Sequence, residues 1–346
     1  MIAGALAHDE SVFETLPDGP LDTASYPKWK ADCATYTADR LHSYLNRKAP
    51  ASEISLKHQL NTLVSLYVRL VLENVSESES RKLAPHFQRF YRWMQDYAQR
   101  IPLGELPDED ITSLEADLAE TGVDGAMLSR IGHNVLEIMR EKTQALGLML
   151  KDKLLFDYYP NTIHTSPCMP LVEVLARREL VLSKPLNILE IGAGTGGTTK
   201  AVFRAISEFE KSEGSNPGFG HYTYTDVSAG FFKQAKDTFK PWVPRMTFKK
   251  LDIESKPSTQ GFEAGKYDLI VASQCLHATK NMTETMANVR ELLKPGGKLL
   301  MVEGTREAPD ISFIFGTLPG WWFGKLQPTP SRFNKKHIQL THVYRC

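Results

Sequence analysis

The first half of the chain has the hydrophobic spacing of amphipathic helices. Apolar side chains recur every three or four positions in three successive segments: Leu56, Leu60, Leu63, Val64, Tyr67, Leu70 and Val71; Phe87, Phe90, Tyr91, Met94 and Tyr97; and Met127, Ile131, Val135, Ile138 and Met139. Helix breaks are expected at residues 49–50, 76–80, 101–108 and 122–125. The pattern predicts an all-helical layer over residues 26–150, preceded by a loose arm at residues 1–25.

The second half has a different pattern, in which short apolar runs alternate with helical periods. Five runs predict strands: Leu186–Ile191, Tyr222–Asp226, Arg245–Leu251, Tyr267–Ala272 and Lys298–Val302. Such alternation requires a mostly parallel sheet with helices on both faces. The predicted fold class is therefore α/β, with the sheet in a core over residues 151–346 and the helical layer before it.

Length and charge limit the classes of function. The chain has 346 residues, enough for two domains at a prior of roughly 150 residues each. Lys plus Arg and Asp plus Glu both number 41, and zero net charge gives no electrostatic attraction to nucleic acid or an anionic membrane. Neither a signal peptide nor a membrane-spanning helix is predicted, so we expect a soluble, cytoplasmic protein. The four cysteines are scattered without His at metal-ligand spacing, so no metal site is predicted.

A glycine-rich turn follows the first predicted strand. Residues 190–197 read Glu-Ile-Gly-Ala-Gly-Thr-Gly-Gly, and Gly192, Gly194 and Gly196 let a ligand approach the main chain beyond the end of the strand. Gly192, Gly194 and Gly197 also satisfy the G-x-G-x-x-G fingerprint of dinucleotide sites. A tight turn with no ligand is a further alternative, so the turn alone does not identify a ligand.

Acidic residues near this turn favour a ligand that carries both an adenosine and an amine. Glu190 precedes the first glycine by two residues, where a carboxylate can accept a hydrogen bond from an amine. Asp226 ends the second strand and can bind both ribose hydroxyls, while Asp252 beside Ile253 can receive the adenine amino group. An NAD site would explain Asp226 equally well, but it would not explain Glu190 and Asp252 so naturally.

Longer sequence motifs include the glycine-rich turn and occur on both sides of it. They are TGVDGAMLSRIG (121–132), LLFDYY (154–159), EIGAGTG (190–196), YTDVSAGFF (224–232), SQCLHAT (273–279), TMANVR (285–290), LLKPGG (292–297) and FGTLPGWW (315–322). Over about residues 110–324 the chain resembles the C-methyltransferase domain of fungal, highly reducing iterative polyketide synthases. That family belongs to the class I S-adenosylmethionine (SAM) methyltransferases, so the resemblance implies a Rossmann-like core preceded by a helical lid.

The resemblance also implies an activity and its partners. The reaction would be SAM-dependent methylation of the α-carbon of a β-ketoacyl polyketide intermediate, carried by an acyl carrier protein or a polyketide synthase. His277, after the fourth strand, would remove the α-proton, and Glu303, at the end of the fifth, would fix the imidazole tautomer. These two residues match the family's catalytic dyad.

Two other functions remain open alongside this one. An O-methyltransferase acting on a released phenol or carboxylic acid would use the same cofactor site and need less of a base. A non-catalytic pseudo-methyltransferase that binds a carrier or another partner would have no need of His277 with Glu303. Nucleophilic catalysis by Cys275 with His277 is rejected, because the proposed reaction requires no acyl-enzyme.

Two aromatic pairs have alternative interpretations. Trp321-Trp322 is flanked by Pro319-Gly320 and is interpreted as a flap that borders the acyl channel, with core packing as the alternative. Tyr158-Tyr159 either closes over the cofactor or packs in the core.

The C-terminal segment departs from the family pattern. Family members continue past the Gly-Trp-Trp segment with a helix and two closing strands, whereas here only Ile338–Tyr344 has strand character. We therefore predict incomplete C-terminal strands, with one closing strand at the sheet edge instead of two. A free-standing enzyme acting in trans, an excised domain and a truncated gene product all fit this pattern.

Overall fold

The computed structural model describes residues 49–101, 111–182, 185–213, 218–304 and 307–325. The predicted arm at residues 1–25 and the predicted closing strand at residues 338–344 lie outside the described residues. Within the described part of the chain, no helix is both long enough and apolar enough to cross a membrane.

Helices fill the first half of the described chain, as the hydrophobic spacing predicts. They are α1 (Ala51–Asn74), α2 (Glu77–Ser80), α3 (Pro85–Arg100), α4 (Ile111–Thr121), α5 (Val123–His133), α6 (Val135–Met139), α7 (Ala145–Leu150) and α8 (Leu154–Asn161). The predicted apolar faces are buried, with Leu60, Phe90 and Met127 fully inaccessible to solvent. Burial of these apolar faces stabilises the shorter helices, because isolated helices of fewer than about 12–15 residues are only marginally stable in water.

Two predicted helix breaks are narrower in the structure. The Ser76 side chain accepts a hydrogen bond from the Glu79 amide at 3.2 Å and so begins the one-turn helix α2 inside a predicted loop. Gly122 alone separates α4 from α5, and Gly125 lies within α5. A β-carbon at Gly125 would lie 1.9 Å from the carbonyl oxygen of Leu118, so this glycine permits close packing of the two helices rather than a turn.

The apolar core of the helical layer also includes residues from later in the chain. Leu155 and Tyr158 of α8 belong to it, and so do Phe313 and Trp322, which follow the sheet in sequence. Helix α13 (Pro309–Phe315) carries Phe313. The end of the described chain thus returns from the sheet and packs between the helices.

The sheet has five parallel strands, which confirms the predicted α/β class. The strands are β1 (Leu186–Ile191), β2 (Phe219–Asp226), β3 (Met246–Lys250), β4 (Tyr267–Ser273) and β5 (Leu293–Val302), in the order β3-β2-β1-β4-β5. Helices α9 (Met169–Leu182), α10 (Gly197–Glu213), α11 (Phe232–Thr238) and α12 (Met282–Leu292) connect or flank them. Separate apolar clusters cover the two faces of the sheet.

The order of the strands reverses at β1. Strand β1 pairs with β2 on one side and with β4 on the other. In an open α/β sheet, ligands bind in the crevice outside the carboxyl ends of the strands at such a reversal. The carboxyl ends of β1, β2 and β4 therefore mark the place to look for a site.

Candidate active site

A cleft of about 400 Å³ lies at the carboxyl ends of β1, β2 and β4, a volume within the usual range of small-molecule sites. The predicted cofactor residues that line it are Gly192, Gly194, Asp226, Asp252 and Ile253. Tyr159 lines it as well, whereas Tyr158 is buried in the helical core. Other lining residues, to which the sequence assigned no role in the cleft, include Thr165, Met169, Val227 and Phe231.

The glycine turn adopts backbone angles that favour glycine. Gly192, Gly194 and Gly196 have φ values of +63°, +53° and +80°. A β-carbon at Gly192 would lie 2.7 Å from the Cys275 β-carbon, so this position also requires a residue without a side chain. Gly196 does not line the cleft, and a β-carbon there would lie 2.7 Å from the Phe239 ring. Gly192 and Gly194 thus border the cleft, while Gly196 lets the turn pack against the helices.

Replacing Gly192 with alanine is expected to destabilise the protein more than replacing Gly265. Both glycines have positive φ, but a β-carbon at Gly265 meets no atom within 4 Å. Gly265→Ala therefore measures backbone strain alone, whereas Gly192→Ala adds overpacking against Cys275, which costs about 1–3 kcal/mol. Urea titration of both variants checks this. Equal losses of unfolding free energy would show that Cys275 moves aside without cost.

The carboxylate of Asp226 is held at the cleft wall by backbone amides. One of its oxygens accepts from the Gly194 amide at 3.0 Å and the other from the Ser228 amide at 2.8 Å. Burial raises the pKa of Asp226, and these hydrogen bonds oppose that shift. Asp252 accepts from the Glu254 amide and from the Ser255 hydroxyl, both at 3.0 Å. Each carboxylate is thus fixed in one orientation before any ligand arrives.

Glu190 lies behind the turn rather than at the cleft wall. Its carboxylate accepts hydrogen bonds from the Thr199 hydroxyl at 2.5 Å and the Tyr222 hydroxyl at 2.6 Å. The residue is 1% exposed and is not among those lining the cleft. Strand alternation places its side chain against α10, where it joins β1, β2 and α10. Burial raises its pKa to about 7, although the two hydrogen bonds oppose that shift.

The stability of the fold should therefore fall with pH in a window set by Glu190. The carboxyl is protonated in the folded state up to about pH 7, whereas in the unfolded chain it ionises near its ordinary pKa of 4.5. The free energy of unfolding that Glu190 contributes through its raised pKa is fully present below pH 4.5 and is lost by pH 7, a change of roughly 3 kcal/mol. Denaturant titrations of wild type and Glu190→Gln across this range test it. A difference between the two that stays constant with pH would contradict the assignment.

His277 and Glu303 meet beside the cleft. The Glu303 carboxylate contacts His277 Nδ1 at 2.6 Å, and its second oxygen accepts from the backbone amides of Leu276 at 2.9 Å and His277 at 3.4 Å. Cys275, Ala278 and neighbouring residues of the same turn line the cleft. Because Nδ1 faces a carboxylate, it carries the proton, and Nε2 is left as the basic nitrogen.

Residue Gln274, between β4 and this turn, has a conformation that non-glycine residues rarely adopt. Its φ is +53°, and its amide donates to the Val302 carbonyl at 2.8 Å. Such strain is typical of functional sites, where the surrounding structure holds it. The hydrogen bond ties the end of β4 to the end of β5, which brings His277 and Glu303 together.

The two adjacent tryptophans have different environments. Trp322 is 4% exposed in the helical core, and its indole N–H donates to the Gly316 carbonyl at 2.8 Å, so interpreting it as part of a flap is wrong. Trp321 contacts the His277 ring edge to face, with centroids 6.1 Å apart, and stacks on Phe315. One tryptophan thus anchors the segment in the core while the other lies against the candidate base.

The thiol of Cys275 is unsuited to nucleophilic attack. Burial, together with nearby carboxylates, raises its pKa well above the ordinary value. Its sulfur contacts the Ile191 carbonyl at 3.3 Å. Among the residues that the structure describes, no three acidic, His or Cys side chains are grouped as metal ligands.

Fold and cleft together define a methyltransferase of the Rossmann-like type. A family model described as "Methyltransferase domain" matches residues 189–299, which include the glycine turn, Asp226, Asp252 and His277. The structure is similar to that of the trans-methyltransferase CalH in complex with SAH, the demethylated form of SAM, with 29% identity, a TM-score of 0.66, and 81% of this chain and 79% of that one covered.

More specific relatives are polyketide synthases. The chain is 37% identical over 310 residues to the highly reducing polyketide synthase azaB of Aspergillus niger and 38% identical over 307 residues to the compactin diketide synthase mlcB of Penicillium citrinum. Each alignment covers 86% of this chain but 12% of the relative, so the chain spans about an eighth of the length of these proteins. The fold matches the CMeT domain of the citrinin polyketide synthase, with 24% identity, a TM-score of 0.70 and 82% of each chain covered.

These similarities identify the chain's family. It belongs to the SAM-dependent methyltransferases, and within them to the methyltransferase domains of fungal highly reducing polyketide synthases.

Proposed function

We propose that the chain transfers a methyl group from SAM to the α-carbon of a β-ketoacyl thioester, which an acyl carrier protein or a polyketide synthase presents. The observation that carries this proposal is the 2.6 Å contact between His277 and Glu303 beside the cleft. A carboxylate-oriented imidazole is the arrangement expected of a general base. A protein that only binds a carrier has no need of such a pair.

The cleft residues fit SAM. Gly192 and Gly194 allow the ligand to approach the backbone, and Asp226 is the acceptor for the ribose hydroxyls. Asp252 and Ile253 are assigned to the adenine, and Val227, which is 65% exposed, adds apolar surface to the cleft wall. SAM supplies an electrophilic methyl group when it is bound. Glu190 and Gly196 support the site indirectly, by fixing the turn from behind.

The dyad supplies the proton acceptor that carbon methylation requires. His277 Nε2 takes the α-proton of the substrate, since Nδ1 is engaged with Glu303. Glu303 accepts three hydrogen bonds, one from the imidazole and two from backbone amides, so it is fixed where it can stabilise the imidazolium. The α-carbon becomes nucleophilic as its proton leaves.

Methylation of an oxygen is a second candidate, because it would use the same cofactor cleft. A phenol or carboxylic acid loses its proton far more readily than a carbon acid does, so it has less need of an oriented base. The carboxylate behind His277, which accepts three hydrogen bonds and whose side chain is 9% exposed, favours the carbon acid.

A panel of carrier-bound acyl thioesters tests the proposed substrate. The chain is incubated with SAM and with β-keto, β-hydroxy and saturated acyl groups of equal length, and the products are weighed by mass spectrometry. Methylation is expected for the β-keto thioester alone, because its second carbonyl makes the α-proton acidic and delocalises the resulting charge. Equal methylation of the β-hydroxy thioester would contradict an enolate mechanism.

A further inference from the structure

The side of the cleft that faces the helical layer is formed by one short segment. Tyr159, Thr165 and Met169 line the cleft, and they lie within eleven consecutive residues between the end of α8 and the start of α9. The Thr165 hydroxyl donates to the Tyr159 carbonyl at 3.1 Å, which closes the segment on itself. Residues 162–165, in its middle, belong to no helix or strand. Contacts with other elements supplement these hydrogen bonds within the segment.

Two buried carboxylates from distant elements hold the middle of the segment. Asp124 of α5 accepts from the Thr162 hydroxyl at 2.5 Å and from the Ile163 amide at 3.1 Å. Asp310 of α13 accepts from His164 Nε2 at 2.6 Å. Both carboxylates are almost inaccessible to solvent, so each of these contacts is made in surroundings of low dielectric.

Asp310 has a second partner that does not touch the cleft. The Lys57 ammonium of α1 lies 2.7 Å from its other oxygen. Burial alone would raise the pKa of Asp310, but the hydrogen bonds and positive charges of His164 and Lys57 outweigh burial and hold it at about 2. The carboxylate thus stays ionised, and it joins α1, α13 and the cleft wall at a single point.

We propose that the Asp310–His164 contact positions the helical-layer wall of the cofactor cleft and thereby sets the affinity for SAM. The proposal rests on the proposed function, since it takes SAM as the ligand of the cleft. His164 precedes Thr165, which lines the cleft, so a fixed His164 fixes the wall next to it. A wall that is ordered before binding spares the ligand the entropy cost of ordering it. His164 and Asp310 are positioning residues and need not touch SAM.

Calorimetric titration with SAH tests this through binding alone. His164→Ala is expected to weaken SAH binding about tenfold, the cost of ordering one or two side chains. His164→Gln keeps an N–H donor for Asp310 and should restore most of the affinity. Asp310→Ala should weaken binding as His164→Ala does, and the double variant should be no weaker than either single variant, because both remove the same contact.

Lys57→Ala is the matched control. It removes the other partner of the same carboxylate, so it should lower the denaturation midpoint while SAH affinity stays close to that of the wild type. The proposal is overturned if Lys57→Ala weakens binding as much as His164→Ala, or if His164→Ala binds SAH normally. Wild-type protein that binds no SAH would instead overturn the proposed cofactor, and this proposal with it.

Discussion

Replacing His277 with alanine is expected to lower the single-turnover rate of methyl transfer by about 10²–10⁴-fold, the range lost with a general base. The affinity for SAH should stay close to the wild-type value, because His277 is not among the residues that line the cofactor cleft. The reason is chemical: the α-proton must leave before the carbon can attack, and His277 Nε2 is the base beside the cleft. Rapid-quench measurement with saturating SAM separates this step from binding.

His133→Ala serves as the control for this variant. The His133 side chain is 72% exposed on the helical layer, where it contacts Glu115. Its removal should leave the rate unchanged. A His277→Ala protein that keeps a rate near the wild-type value would show that proximity of the substrates, rather than proton removal by this residue, accounts for the reaction.

Glu303→Gln is expected to be nearly as damaging as His277→Ala, and more damaging than Glu303→Ala. One oxygen of Glu303 accepts from two backbone amides, so a glutamine must place its own oxygen there. Its NH₂ group then faces His277 Nδ1 and donates to it. That forces the ring proton onto Nε2, and the base can no longer accept the α-proton.

Glu303→Ala leaves His277 free to adopt either tautomer, so it should lose less activity than glutamine does. Single-turnover rates of the two variants, measured at the same SAM saturation, show directly which variant loses more activity. A glutamine variant that is as fast as the alanine variant, or faster, would contradict the role of Glu303 in fixing the tautomer of His277.

Much of the fold follows from the sequence because its periodicities are strong. Four of the five strands were predicted within three residues of their observed bounds, and the carboxyl-edge rule brought His277 and Glu303 to the same place. Strand β5 begins earlier than predicted: Leu293 pairs with Tyr267 before the irregularity at residues 294–297. Glycines at these positions are equally typical of the end of a helix, so the pattern could not distinguish a helix end from the start of β5.

The site was harder to predict where it depends on distant parts of the chain. Thr165 and Met169, which line the cleft, follow a stretch that Asp124 and Asp310 contact from distant parts of the sequence. No spacing rule contains that information. Glu190 shows a different limit: both faces of a central parallel strand are buried, so alternation alone could not tell a cleft-facing carboxylate from one that faces α10.

The most direct test of carbon methylation is to locate the transferred methyl group. A carrier-bound β-ketoacyl substrate is incubated with the chain and with SAM labelled with ¹³C in its methyl group, and the released product is examined by NMR. The proposed function predicts that the labelled methyl is bonded to the carbon between the two carbonyls and couples to the single proton left there. A labelled methyl bonded to oxygen would contradict it.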